Sequence, residues 1–433
     1  MLRPAATLSA LILLAACGHT AQVPLAQGTG PAPELPAPSR TLIPTVKVAE
    51  AVGWPAGASP VPAPGLRIQP FAGGLEHPRW LLALPNGDVL VAETAAPPKP
   101  ERYKDNSIKG KFMAMFMKKA GSAVPSANRI TLLRDRDGDG IAEVRRPYIQ
   151  GLMSPFGMAL VGSTLYVANA DALVAFPYDP AADAIVAAPR TVARLPAERN
   201  HHWTKSLAAG PDGKLYVGVG SNSNVAEHGM AEEQGRAAVW QFDPASGATR
   251  LFATGLRNPV GLDFRPGSGE LFVVVNERDE LGSDLVPDYL TRVQSGAFYG
   301  WPWSYYGGHV DSRVEPARPD MVARAIAPDY ALGSHVAPLG LTFSDGARLG
   351  PLFASGAFIG EHGSWNRDPF SGYKVVFVPF AGGRPAGQPL EVLTGFVSGD
   401  KAFGRPVGVE IARDGSLLVA DDVGGMVWRV SAA

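Results

Sequence analysis

Along this chain apolar positions alternate with polar ones in short runs, and each run closes a phrase of one shape. A Pro or Gly pause comes first, then a few apolar residues, a tight turn and an alternating strand. The copies are GLEHPRWLLALPNGDVLVAE around Pro78, GLMSPFGMALVGSTLYVAN around Pro155 and HHWTKSLAAGPDGKLYVGVG around His202. They continue with GLRNPVGLDFRPGSGELFVVVNE around Pro259, HVAPLGLTFSDG…GAFIGEHGS around Pro338 and GRPVGVEIARDGSLLVAD around Pro406. Alternation over five or six residues predicts strands, as in Lys214–Val219 and Ser416–Ala420. A repeated unit too short to bury its own apolar face predicts an all-β, six-bladed β-propeller. Equivalent turns then meet at one end of a central channel, and the last strand, 425–430, is expected to close the ring against the first blade, since an open ring leaves a bare edge.

Two stretches interrupt the repeat. Residues 97–127 carry a basic segment, Lys104 to Lys119, with Phe112, Met113, Met115, Phe116 and Met117 among the lysines, and predict a helical insertion over one face. Residues 285–335, rich in Tyr, Trp and Pro, predict a loop insertion walling the channel mouth. With 50 Gly, 40 Pro and 18% charged residues, the composition suits many turns and short strands. The net charge of -1 leaves no basic surplus to neutralise phosphates, which argues against nucleic acid as a partner.

Ahead of the repeats, an apolar run from Leu8 to Ala16 follows Arg3 and is too short to span a bilayer. It ends in Leu14-Ala15-Ala16-Cys17, which resembles a bacterial lipoprotein signal with Cys17 as the lipidated residue. Cys17 is the only cysteine, so an internal disulfide is impossible. The expected organisation is a signal segment 1–16, a Pro/Ala-rich tether 17–62 and a propeller 63–433. The corresponding location is the periplasmic side of the cell envelope, with the membrane reached only through the lipid anchor.

Asp135, Asp137 and Asp139 alternate with glycines ahead of Glu143, a spacing of hard oxygen ligands that suits a structural Ca²⁺. A full loop of that type carries glutamate at its twelfth position, where this chain has Arg146, and an Asx-rich hairpin turn accounts for the same residues.

Polar residues the fold does not need gather at three strand mouths: Asn200 to Lys205, Arg257-Asn258 with Asn276 to Glu280, and Glu361 to Arg367. Together they suit a pocket for an anionic, aromatic ligand beside a histidine base. At these residues the chain resembles the soluble quinoprotein aldose (glucose) dehydrogenases, most closely their sorbosone-dehydrogenase-like branch. The motifs that carry this are His202 eight residues before Gly210-Pro211-Asp212-Gly213, the Arg257-Asn258-Pro259-Val260-Gly261 run, Phe298-Tyr299-Gly300-Trp301-Pro302, and Glu361-His362 with Trp365-Asn366-Arg367. The resemblance implies a propeller holding pyrroloquinoline quinone (PQQ) and Ca²⁺ at its mouth, with His202 as general base. It implies cofactor contacts from Arg257, Asn258, Tyr299, His362, Trp365, Arg367 and Arg405, and a calcium-binding turn at Glu277, Arg278 and Asp279. Where that family pairs two arginines one residue apart, this chain has Arg405 and then Val407, and His362 stands near the family's lysine.

The expected function is therefore oxidation of an aldose or a sugar aldehyde such as sorbosone, with a cytochrome or quinone as electron acceptor. Two alternatives are a cofactor-free envelope-binding propeller and a calcium-dependent lactonase.

Overall fold

The computed structural model describes residues 18–39 and 44–433; Cys17 and the expected signal segment 1–16 lie outside the described residues. The chain is nearly all β. Six antiparallel sheets of four or more strands follow one another in sequence, each built outward from a first strand. The first strands are Pro78–Ala83, Met158–Val161, Lys205–Ala209, Pro259–Arg265, Pro338–Phe343 and Pro406–Ile411. They touch in cyclic order, and the sixth touches the first, which makes the arrangement propeller-like. Second strands such as Val89–Glu93, Leu215–Val219 and Leu417–Asp421 are buried along their whole length. Each is sandwiched between the faces of neighbouring sheets, so it reads as an unbroken apolar run.

Local chemistry fixes the hairpins. In Pro211-Asp212-Gly213 the Asp212 carboxylate accepts the Lys214 N–H at 3.1 Å, and Gly213 adopts φ 75°, which a side chain would resist. The first strands share a Pro-x-Gly opening in four sheets. At its third position, a Cβ on Gly408 would stand 2.7 Å from the Arg79 carbonyl of the next sheet, so only glycine allows this approach. At its middle position stand Phe156, Val260, Leu339 and Val407, all buried in one cluster although they come from four different sheets. These side chains plug the channel. The mouth is thus closed from below by a buried apolar layer, its floor, and Val407 belongs to that layer.

The final strand closes the ring differently from expectation. Met426–Ala432 pairs with Leu66–Ala72, so an early strand completes the sixth sheet, and the first sheet packs against that sheet without pairing to it. Residues 18–62 also depart from the expected tether. Glu50–Ala51 pairs with Lys401–Ala402, and Val61–Pro62 adds an edge to the fifth sheet. The Trp54 indole donates to Asp421 at 2.6 Å and meets Phe396 and Trp428 edge-on. Val48 and Ala49 are buried. The segment lacks a core of its own, but these few apolar residues gain more by covering sheet edges than by staying in water. The expected helix is present as Ile108–Lys119, and the second insertion climbs back to the mouth, where Arg278 binds the carbonyls of Pro302 and Ser304.

Candidate active site

First strands begin, and second strands end, at the same end of the ring. That end therefore collects His77 and Arg79, His202 with Ser221, Arg257 with 276–279, His335 with His362, and Arg405 with Asp422, one group from each of five sheets.

His202 lies just ahead of the third sheet's first strand. Its Nδ1 is 2.9 Å from the Ser221 carbonyl and 3.0 Å from Ser221 Oγ, and that hydroxyl itself donates to the Ser223 carbonyl at 2.7 Å. A carbonyl only accepts, so Nδ1 carries the proton and Nε2 keeps its lone pair. Burial, then the charges of Arg257 and His201, hold the imidazole well below its ordinary pKa. The ring is therefore neutral at working pH and able to accept a proton.

Facing it, a second group centres on Asp422. Its Oδ2 lies 2.5 Å from Arg79 Nη1, 2.8 Å from His362 Nε2 and 3.5 Å from His77 Nε2. Burial alone would raise this carboxyl, but His362, His77 and Arg79 hold it far below the usual carboxylate range. Arg405 rests over the Tyr373 ring at 4.9 Å and donates to its hydroxyl at 2.9 Å. Arg79 reaches over the floor, with its guanidinium 5.9 Å from the Phe156 ring and 5.8 Å from Trp203, the neighbour of His202. Among the described residues, Nε of Arg79, Arg405 and Arg367, Asp422 Oδ1 and Asn258 Oδ1 are buried without a hydrogen-bond partner. Unpaired buried polar atoms are costly, and those of Arg79, Arg405, Asp422 and Asn258, collected at one end of the ring, point to a ligand that completes them.

His202 and Asn258 close in on Gly220. A Cβ there would fall 2.5 Å from the His202 Cβ and overlap Asn258 Oδ1. Gly220→Ala is expected to shift one of those side chains and lower kcat at least tenfold while the circular dichroism spectrum stays unchanged. A wild-type kcat in that variant would show the spacing to be irrelevant.

Burial pushes His362 down to about 4, against the partial opposition of Asp422. Its folded pKa lies below its unfolded value near 6.5, so the unfolded chain binds the extra proton as acid is added. The resulting stability is present above pH ~6.5 and is lost as pH falls toward 4, by on the order of 3 kcal/mol. Urea unfolding against pH is expected to show this loss, and His362→Gln to flatten it; an unchanged slope would contradict the assignment.

Several expected site residues take other roles. Arg257 is turned into the protein: Nε and Nη2 meet the Asn224 carbonyl and Oδ1 at 3.2 and 3.0 Å, Nη1 meets the carbonyls of Asn276 and Glu277, and Nη2 also meets Asp279 at 3.2 Å. With its donors used, it is a strut for the 276–279 turn and offers no fork to a ligand. That turn does not form the expected calcium cage either. The carbonyls of Asn276 and Glu277 accept from Arg257 and that of Asp279 from Arg313, while the Arg278 side chain is fully buried between Glu277 and Asp311. Two guanidinium groups on those oxygens repel a cation. Tyr299 is a core residue, with its hydroxyl donating to the Arg292 carbonyl at 2.6 Å; Trp301 of the same motif reaches the site instead, through Asn224 at 2.9 Å. Trp365 is half-buried, its carbonyl held by Lys47, and Arg367 donates to the Pro369 carbonyl at 2.8 Å.

Asp135, Asp137, Asp139 and Glu143 do gather, with one ligand atom of each within 4.8 Å of the others. They sit in the hairpin at the opposite end of the ring, where Asp135 already accepts the N–H groups of Gly138 and Gly140. A crevice of about 350 Å³ near Tyr148, Phe176 and Ile185 lies on outer strands, away from this chemistry.

His77, Arg79, Asp422, His335 and Asn224 escape a reading by motif alone. His335 is buried, close to Asp279 at 3.5 Å. The signal that finds most of them is position in the repeat: His77-Pro78-Arg79 opens the first phrase where Asn258-Pro259 opens the fourth, and Asp421-Asp422 ends a second strand as Asn276-Glu277 does.

The chain matches the TrAA12-like family over residues 126–289 and 319–433. It is 24% identical over 433 aligned residues to a pyrroloquinoline quinone-dependent pyranose dehydrogenase of Coprinopsis cinerea, covering 85% of this chain and 54% of that protein. The chain spans little more than half the length of the curated relatives it matches. Among solved structures, the holo form of the pyranose dehydrogenase PQQ domain from Coprinopsis cinerea superposes with TM-score 0.68 at 21% identity, over 89% of this chain and 100% of that one. The iodide structure of the Trichoderma reesei family AA12 enzyme gives TM-score 0.70 at 19% identity, over 90% and 100%.

Proposed function

As this chain belongs to the TrAA12-like family, we propose that it is a six-bladed β-propeller whose mouth holds PQQ and oxidises an aldose or a sorbosone-like sugar aldehyde. The observation that carries the reading is that Arg79 and Arg405, each with a buried Nε free of protein partners, stand at the same end of the ring as His362 and His202.

These residues fit a flat polyanion. Guanidinium groups bind carboxylates through paired N–H donors, and Arg79 and Arg405 each keep Nε without a protein partner. Phe156, Val260, Leu339 and Val407 are packed in one buried cluster, which closes the axis below the mouth and excludes water from that side. When bound, PQQ supplies a two-electron oxidant. The chain's own part is to hold the sugar against it and to remove the hydroxyl proton. His202 Nε2 takes that proton, and the Ser221 carbonyl on Nδ1–H fixes the tautomer and steadies the imidazolium that forms. A depressed pKa keeps the base wholly neutral while weakening its pull, so correct placement of the hydroxyl matters more than basicity.

Calcium does not fit the 276–279 turn as it stands, and no step is routed through it. A structural ion in the 135–143 hairpin is the remaining place for calcium in this reading. Lipidation at Cys17, export to the periplasmic side and a cytochrome or quinone acceptor complete it. The lactonase alternative meets an arginine-rich lining that repels a bare divalent ion.

Purified apoprotein given PQQ is expected to reduce an artificial dye with at least one member of a panel of aldoses and sugar aldehydes. Absence of both dye reduction and PQQ binding by titration would reject the proposal.

A further inference from the structure

The helix Ile108–Lys119 has two apolar faces, and the domain covers only one. Met113, Phe116 and Met117 are half-buried and Ala120 is buried, whereas Ile108, Phe112 and Met115 are 78%, 57% and 54% exposed. Their spacing of four and three residues sets them in one stripe on the solvent side. Lys111, Lys118 and Lys119 are exposed beside that stripe. Ser107 caps the helix by accepting the Gly110 N–H at 3.0 Å, so the segment is a formed helix with a fixed N-terminus.

This helix stands at the mouth end of the ring. Its insertion leaves the end of the first sheet's second strand, and Arg102 and Tyr103 tie it to Glu198, ahead of His202, at 2.5 and 2.9 Å. Val124, five residues past the helix, is exposed as well.

The start of the described chain lies at the same end. The His19 carbonyl accepts from Thr45 at 2.9 Å, and the Ala21 N–H donates to the Asp368 carbonyl at 2.7 Å. Asp368 belongs to the loop that follows the fifth sheet's second strand, a mouth loop.

We propose that the mouth face rests on an anionic bilayer, with Ile108, Phe112 and Met115 at headgroup depth and the neighbouring lysines against lipid phosphates. The whole chain has a net charge of -1, so the basic charge of this insertion is local and marks one face. A formed helix with a bare apolar stripe and flanking lysines is the chemistry of interfacial binding. No described helix is long and apolar enough to cross a membrane, which leaves the surface mode for this one. The helix sets the orientation at the bilayer. This inference is independent of PQQ, because its readout is vesicle binding.

The test uses the unlipidated chain from Gly18 onward, which contains every described residue. It is sedimented with vesicles of phosphatidylcholine mixed with phosphatidylglycerol and with vesicles of phosphatidylcholine alone. About tenfold tighter binding to the anionic vesicles is expected, falling as salt is raised. Phe112→Asp with Met115→Asp is expected to reduce it at least tenfold while the circular dichroism spectrum and thermal midpoint stay unchanged. Equal binding to both vesicle types, no binding, or undiminished binding by the double variant would overturn the proposal. Capture of an acidic electron-transfer protein through the same two residues, without vesicle binding, would also overturn it and assign the stripe to a protein partner.

Discussion

His202→Ala is expected to lower kcat for sugar oxidation by roughly 10²–10⁴-fold while leaving PQQ affinity within a few-fold of wild type. The reasoning is positional. The imidazole is the described side chain at the mouth with a fixed tautomer, set by the Ser221 carbonyl, and a lone pair on Nε2 not taken up by the protein. Removing it deletes the proton acceptor and leaves Arg79, Arg405 and the floor intact. His202→Gln keeps much of the volume without the basicity, and the same loss is expected. Steady-state dye reduction gives kcat, and a separate PQQ titration gives affinity. A variant that turns over at the wild-type rate would remove His202 from the mechanism.

Asp422→Asn carries the second large effect. One buried carboxylate holds Arg79, His362 and His77 together, and removing its charge strands the Arg79 guanidinium, which is already out of water. Breaking such a cluster costs about 3–5 kcal/mol, more than either partner contributes alone. Urea unfolding is expected to show that loss. Adding Arg79→Gln to Asp422→Asn should recover part of it, because the stranded charge is then gone. A stability change below about 0.5 kcal/mol for Asp422→Asn would mean that the cluster is solvated and does not organise the mouth.

The repeat was legible because its causes are local. Pro-x-Gly openings, Asp-Gly turns and alternating strands each leave a mark within a few residues, and six such phrases imply one ring. The place of His202 was legible too, since it sits where the phrase meets the mouth. Side-chain direction was not legible. Arg257 lies at the expected place, yet Asn224, from the loop after the third sheet's second strand, supplies two acceptors that draw it inward. Tyr299 and Trp301 share one motif, and a turn at Gly300, with φ 108°, sends only the tryptophan to the site. Asp422 was hidden because its partners come from two distant segments, 77–79 and 362. The 18–62 segment misled through composition: Pro and Ala suggest an extended tether, but Val48, Ala49 and Trp54 are enough to lay it on the sheets.

In the proposed function, one mouth brings a neutral imidazole and the unpaired Nε donors of Arg79 and Arg405 to a quinone and a sugar. The absorption spectrum of anaerobic protein loaded with stoichiometric PQQ, recorded before and after an aldose or sugar aldehyde is added, tests it most directly. The account predicts a bound-quinone spectrum that converts to the reduced form on adding sugar, slowly in His202→Ala. A spectrum identical to free PQQ, unmoved by every sugar tried, would contradict it.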